Sequence, residues 1–267
     1  MKTLLYPAFA LLLIALASCS AESNSENDQP DSENDADTQT TGETADTSNT
    51  TELVEPSIIY GIDISKWQGD EMSLLTKEND SLNFVICRST EGITYTDPTF
   101  ANNWKLCKEK GFIRGAYHFY RSDDDPSAQV DNFLNAIKGM EDSDLPPIID
   151  FEEESIASGS DKETVIEDLW KFIFLLEQKT GRTPIIYTDE NIGNSYLTAA
   201  RFANYPLWIA DYNPGTEPRM PGAWKGMKWV LWQKTDKYMF ENIQDDFDSF
   251  NGSMDDLKSF ISGSILN

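Results

Sequence analysis

Short apolar runs recur along this chain, each closed by a polar residue or a turn. Runs of this kind, rich in Ile, Val, Phe and Tyr, predict strands at residues 58–64, 83–89, 113–120, 147–152, 184–188, 206–211, 228–234 and 246–250. Helical spacing takes over between the earlier ones, at residues 98–110, 126–138, 162–180 and 190–202, with a shorter turn or helix near 71–79. The helix at 162–180 is the clearest: Val165, Leu169, Phe172, Ile173 and Leu176 form one stripe, and Gly181 and then Pro184 mark its end. Strand and helix alternate through the first two thirds and strands dominate the last third. That order predicts an α/β fold, a mainly parallel sheet closing as a barrel whose final crossovers lack helices. An open doubly wound sheet is the alternative, although no Gly-rich phosphate loop follows the first strand. A short terminal helix and a frayed end are expected at 253–267.

The pattern fails at the start of the chain, and there composition matters. Residues 1–18 hold one Lys and an apolar core from Leu4 to Leu16, too short for a mature membrane span and shaped like a signal peptide. They end in L-A-S-C, which resembles a bacterial lipobox and implies cleavage before Cys19 and a lipid on that cysteine. From 20 to 56 there are eleven acids, no Lys or Arg and almost nothing apolar before Leu53. Residues 19–56 are therefore expected to be a lipidated Cys and an acidic, disordered tether. The formal charge of -25 is partly the tether's; 35 acids against 20 bases remain from Ser57 onward, a net of about -15. Nucleic acid is a poor partner for such a surface, and membrane contact is expected through the Cys19 lipid only. Of the three cysteines, Cys87 falls on a strand and Cys107 on the next helix, where they either pair or stay independent buried thiols.

Candidate chemistry sits where the strands end. In L-P-P-I-I-D-F-E-E-E, residues 145–154, a strand carries Ile148, Asp150 and Glu152 on one face, the acids roughly 6 to 7 Å apart at a rise of about 3.3 Å per residue. Crowded carboxyls disfavour each other's charge, so one holds a proton near neutral pH while another stays ionised, as glycosidic cleavage requires. Asp63 leaves the first strand in G-I-D-I-S-K-W-Q-G, and D-D-F-D-S-F-N-G supplies Asp246 and Asp248 on the last. A closed barrel makes these two strands neighbours, gathering Asp63 and Asp246 opposite Asp150 and Glu152. Trp67, Tyr95, Tyr117, Tyr187, Trp208 and Trp232 offer faces on which sugar rings stack, several of them expected to be packing residues instead. Glu91, Asp211 and Gln233 lie at strand ends and join them as candidate substrate ligands.

GIDISKWQG, the run R-S-T-E-G-x-x-Y-x-D-P-x-F-x-x-N-W at 88–104, GAYHFY at 115–120, D-F-E at 150–152, T-G-R-T-P-I-I-Y-T at 180–188 and D-F-D-S-F-N-G together resemble the glycoside hydrolase family 25 lysozymes. The resemblance implies an irregular TIM-like barrel of eight strands and about five helices over residues 57–252. It also implies hydrolysis of the β-1,4 bond from N-acetylmuramic acid to N-acetylglucosamine in peptidoglycan, with no cofactor and no metal. On the matching positions Glu152 is the proton donor, Asp150 the acid that orients the substrate's N-acetyl group, Asp63 a site acid acting as nucleophile or electrostatic partner, and Asp246 the acid of the last strand. Two positions depart from the family's pattern: Asp248 where many members carry Asn, and Arg88 where Lys is common. Which of Asp246 and Asp248 faces the site stays open.

The competing reading is a non-catalytic peptidoglycan-binding lipoprotein using the same groove. A divalent cation site is disfavoured because the acids come from different strands with no EF-hand-like loop. His118, the single histidine, has no Ser or Cys partner in a recognisable motif and is expected to be packed in the barrel wall. The expected product is a monomeric enzyme of the cell envelope, acting on glycan strands.

Overall fold

A computed structural model describes residues 57–77, 81–240 and 243–266. The signal peptide, Cys19 and the tether therefore lie outside the described residues. Strands β1 (Ile59–Ile64), β2 (Leu82–Glu91), β3 (Tyr95–Thr96), β4 (Ile113–Phe119), β5 (Ile148–Asp150), β6 (Ile185–Asp189), β7 (Leu207–Ala210), β8 (Leu231–Phe240) and β9 (Ile243–Phe250) form one sheet in the order β1-β9-β8-β7-β6-β5-β4-β2-β3. A parallel β1–β2 pairing closes eight of them into a barrel, leaving β3 as a two-residue addition on β2. Every barrel pairing is parallel except those of β9, which runs antiparallel between β8 and β1.

Helices α1 (Glu71–Leu74), α2 (Phe100–Glu109), α3 (Pro126–Ala136), α4 (Lys162–Thr180) and α5 (Glu190–Tyr196) follow the early strands, and α6 (Met254–Gly263) ends the fold. The last crossovers are reduced as expected: a single 3₁₀ turn, Gly222–Trp224, lies between β7 and β8, and β8 turns directly into β9. Asp125 and Asp161 cap α3 and α4 by accepting from Ala128 N and Thr164 N, and Gly181 ends α4 at φ 64°, a left-handed conformation that glycine adopts without strain.

Alternation along each strand sorts the core into two layers. Outward residues such as Ile62, Val85, Ala116, Ile149 and Ile186 pack under the helices. Inward residues Phe84, Ile86, Ile148, Ile185, Leu231 and Phe250 fill the barrel floor. Gly61 makes room for this filling, since a Cβ there would stand 2.3 Å from the Phe84 ring. The tail set apart by sequence is part of the core: Leu257 and Ile261 of α6 join the inner cluster, and Thr183 N donates to Ser264 O, so the helix seals the barrel's amino end.

Several expected elements differ in extent. The strand at 147–152 stops at Asp150, because Glu152 leaves the ladder to begin the 3₁₀ turn Glu153–Ser155, its N–H donating to Ser155 Oγ at 3.1 Å. The helix at 190–202 ends at Tyr196 and resumes as a 3₁₀ turn, Phe202–Asn204. Strands β8 and β9 outrun the barrel as a ribbon paired to Phe240 and Ile243, alternation there being too polar to read as a strand. Cys87 and Cys107 are buried free thiols with Sγ atoms 3.8 Å apart, where α2 packs on β2. His118 is on β4 with its side chain buried on the outer face of the barrel wall, stacked on Phe133 and Phe172, with burial pushing its pKa down to about 4.

Candidate active site

Along each inward-facing row the residues change from apolar at the amino end of the barrel to acidic or aromatic at the carboxyl end. Ile148 gives way to Asp150, Ile185 to Tyr187, Gly61 to Asp63 and, along antiparallel β9, Phe250 to Asp248 and Asp246. A cavity of about 150 Å³ opens there, lined by Asp63, Arg88, Tyr117, Phe119, Asp150, Glu152, Tyr187, Trp208, Gln233 and Asp246. A second cavity of about 380 Å³ continues from it, sharing Glu152 and Tyr187 and adding Asp189, Glu190, Asn191, Asp211, Tyr212 and Arg219. The four acids expected from three separate motifs thus meet at one place, with Glu152 where the two cavities join.

Register explains the meeting. Asp63 lies directly opposite Asp246 across the β1–β9 pairing, and Phe119, Asp150 and Tyr187 stand abreast on β4, β5 and β6. The choice left open between Asp246 and Asp248 is resolved: Asp246 lines the cavity, whereas Asp248 is fully buried behind it and accepts from Trp208 Nε1 at 2.8 Å. Gln233 ties the wall together. Its Nε2 donates to Asp63 Oδ2 at 2.7 Å, and its Oε1 accepts from Tyr187 and Tyr212 hydroxyls at 2.9 and 2.8 Å.

Electrostatics separate the acids by role. Burial raises Glu152 to about 7, aided by the charges of Glu154 and Asp189 and opposed by Arg88. Burial leads this rise, and the charge of Asp246 adds to it after those of Glu154 and Asp189. Asp246 is raised to about 6, by burial and then by Asp236. Asp150 is raised by burial and by the charge of Glu152, against Arg88, and its Oδ1 has no hydrogen-bond donor among the described residues. Asp63 is raised by burial and by Asp246, with hydrogen bonds from Gln233 and Asp248 pulling the other way.

The remaining expected residues divide. Tyr117, Tyr187, Trp208 and Gln233 line the first cavity and Asp211 the second. Burial opposes the Asp211 charge, but hydrogen bonds from the Arg219 side chain and backbone outweigh it and hold the carboxyl below its usual range. Trp67 and Tyr95 sit on the rim beside the cavity rather than in its wall: Lys66 Nζ lies 4.7 Å from the Trp67 ring and 5.2 Å from that of Tyr95, and Arg88 Cζ lies 5.6 Å from Tyr95. Trp67 is 76% exposed, a free aromatic face. Glu91 does not reach the cavity; it pairs with Arg88 and, at 3.8 Å, with Arg121, so it holds the cation that does. Trp232 is a correction: alternation on β8 turns it outward from Gln233, to pack on Trp229 and donate from Nε1 to Asp211 O at 2.7 Å. Sequence reasoning passed over Asp189 and Arg219. Asp189 closes β6 in the same way that Asp150 closes β5, a signal present in T-D-E-N, whereas Arg219 comes from a loop with no periodic cue.

A parallel-rich barrel with clustered carboxyls at its carboxyl mouth, one of them titrating near neutrality beside an open groove, defines a barrel glycosidase. The chain belongs to the glycosyl hydrolases family 25, whose model matches residues 62–243, and it is a glycoside hydrolase. It is 33% identical over 211 residues to the protein YegX of Escherichia coli K12, covering 77% of this chain and 74% of that one. Similarity to the N,O-diacetylmuramidase of Arthroderma benhamiae is 33% identity over 214 residues, covering 77% and 87% of the two chains. The solved family 25 lysozyme of Aspergillus fumigatus superposes with a TM-score of 0.69 at 30% identity, over 78% of this chain and all of that one.

Proposed function

We propose that this enzyme is an N-acetylmuramidase, cleaving the β-1,4 bond from N-acetylmuramic acid to N-acetylglucosamine in peptidoglycan, with Glu152 as general acid. The observation that carries the reading is the placement of Glu152: a carboxyl titrating at about 7 where two cavities join, so that sugars on either side put the bridging oxygen at its proton. Glu152 protonates that oxygen as the C1–O bond breaks. The carbonyl oxygen of the substrate's own acetamido group attacks C1, and Asp150, whose Oδ1 is without a donor, accepts the acetamido N–H and balances the charge that develops there. Water, deprotonated by the Glu152 carboxylate, then opens the cyclic intermediate and restores the acid. Asp63 and Asp246 stand opposite and stabilise positive charge on the sugar ring. Tyr187, Tyr117 and Trp208 form the walls against which the rings lie, and Trp67 offers a further stacking face at the rim.

The lipobox adds a place of action. With lipid on Cys19 the enzyme is a monomer held at a membrane of the cell envelope, and the anchoring raises its local concentration at the wall.

Mass spectrometry of borohydride-reduced products from purified peptidoglycan tests the assignment, with Glu152→Gln as control. Reducing ends at N-acetylmuramic acid, absent from the control, are expected. Reducing N-acetylglucosamine would change the bond cut, and no new ends with retention on the wall would leave a binding protein in the same groove.

A further inference from the structure

Asp248 is a buried acid that the mechanism above does not use. It is fully buried, yet it carries a carboxyl with a single conventional partner: Oδ1 accepts from Trp208 Nε1, and Oδ2 meets no N–H or O–H donor among the described residues. Across the β1–β9 pairing Asp248 stands opposite Gly61, two residues from Asp63 on the same inward row, and this brings the two carboxyls within hydrogen-bonding reach of each other. Two carboxylates cannot hydrogen-bond without a proton between them. Asp63 in turn has its Oδ2 satisfied by Gln233 Nε2 at 2.7 Å.

We propose that Asp63 and Asp248 share one proton as a carboxylic acid–carboxylate dyad, in which Asp248 is a neutral positioning residue that donates to the ionised Asp63 facing the cavity. This rests on the muramidase reading and deepens it by stating how one of the site acids is held. Geometry assigns the proton. Asp63 lines the cavity and receives the amide of Gln233, which favours its charge, while Asp248 is sealed behind it with only the neutral indole of Trp208. The groups facing the pair agree: Asp246 from the same strand and Asp63 from β1 both oppose a charge on Asp248, with burial the leading cause, and Glu152 from the β5 end adds to the negative field at Asp63. Arg88 from β2, the cation lining the cavity, acts on Asp150 and Glu152 instead. With Asp248 neutral, the site holds one fewer negative charge in a confined space, and Asp63 is fixed by two donors, Gln233 and Asp248.

An asparagine donates the same hydrogen bond from Nδ2 and accepts from Trp208 through Oδ1, whereas leucine fills the space and does neither. In the full-length protein, Asp248→Leu is expected to lower kcat on peptidoglycan roughly 100-fold, and Asp248→Asn to recover it to within about 10-fold. The alkaline limb of the Asp248→Asn profile should coincide with the wild type, because a neutral group has replaced a neutral group. A limb displaced to lower pH would mean that the substitution removed a negative charge near Glu152, and would overturn the proposal. Equal losses in the two variants would do the same. Infrared difference spectroscopy of wild type against Asp248→Asn at pH 7 reads the proton without turnover: one buried carboxylic acid carbonyl band should be lost. Its absence refutes the dyad, whereas the band together with an inactive wild type places the failure in the muramidase reading.

Discussion

Glu152 and its neighbours are a set of acids whose environments differ, and that difference sets the pH behaviour. As the proposed general acid Glu152 must carry its proton to protonate the leaving oxygen, so with its pKa at about 7 the rate is expected to be retained below neutrality and to fall as pH rises through that value. Glu152→Gln removes the transferable proton while keeping shape and hydrogen bonding; kcat should fall roughly 10²- to 10⁴-fold with the thermal midpoint unchanged. Arg88 offers a finer check, because its guanidinium pulls Glu152 downward. In Arg88→Met the alkaline limb of kcat/KM should move to higher pH even as the rate drops, since Asp150 and Glu91 lose the same cation; a limb that stays in place would show that Arg88 does not act on Glu152. The acids themselves were legible because each stands beside apolar strand residues, D-x-E after Ile148 and Ile149 above all. Their cavity-facing partners were less so: Gln233 and Trp208 become meaningful only when β7 and β8 bring them against Asp63 and Asp248.

At the scale of the element, α1 and β9 are joined by a contact that no periodicity announces. Glu71 and Asp245 are both buried, none of their four carboxyl oxygens meets another donor among the described residues, and the two carboxyls face each other within reach of a shared proton. Burial and then the charge of Glu71 raise Asp245 to about 10, against an unfolded value near 3.8. The sign follows from proton counting: between those pH values the folded chain holds a proton that the unfolded chain has released, so stability is full at low pH and declines as pH rises through that window. Asp245→Asn keeps a donor for Glu71 and removes the titration; at pH 8 it should gain about 1–2 kcal/mol, several degrees in thermal midpoint by calorimetry, with little gain at pH 4. A destabilised variant at pH 8 would refute the shared proton. Sequence reasoning located β9 from residues 246–250 but not its extension through Asp245, because Gln244 and Asp245 break the apolar run. The same physics hid the fate of Trp232: the β8 pattern gives alternation without saying which face is inward, and pairing to β7 and β9 decides it.

For the molecule as a whole, barrel closure was legible from the order of elements, since alternating strands and helices favour parallel neighbours and the helix-poor end favours a hairpin. The sealing role of α6 was not, because an amphipathic helix after the last strand reads equally well as a surface tail. Closure matters for function because it sets β1 beside β9 and so completes the acid cluster. It also concentrates charge: with 35 acids against 20 bases from Ser57 onward, the domain approaches its substrate as a polyanion. Peptidoglycan bears carboxylates on its stem peptides, so encounter is electrostatically disfavoured, whereas the glycosidic bond being cut is neutral. Screening should therefore act on encounter rather than on chemistry, over a Debye length that shrinks to about 10 Å at 0.1 M salt. On intact sacculi kcat/KM should rise from low to physiological salt while kcat stays level, and on peptide-free glycan fragments whose lactyl carboxyls are capped as neutral amides the salt dependence should vanish. If Cys19 carries the proposed lipid, Cys19→Ser should show the same salt response in solution but partition away from membranes. A rate on sacculi that falls with added salt would mean that a basic feature of the groove, with Arg219 beside Glu190 and Asp211 the nearest candidate, draws the wall's carboxylates in and outweighs the net charge.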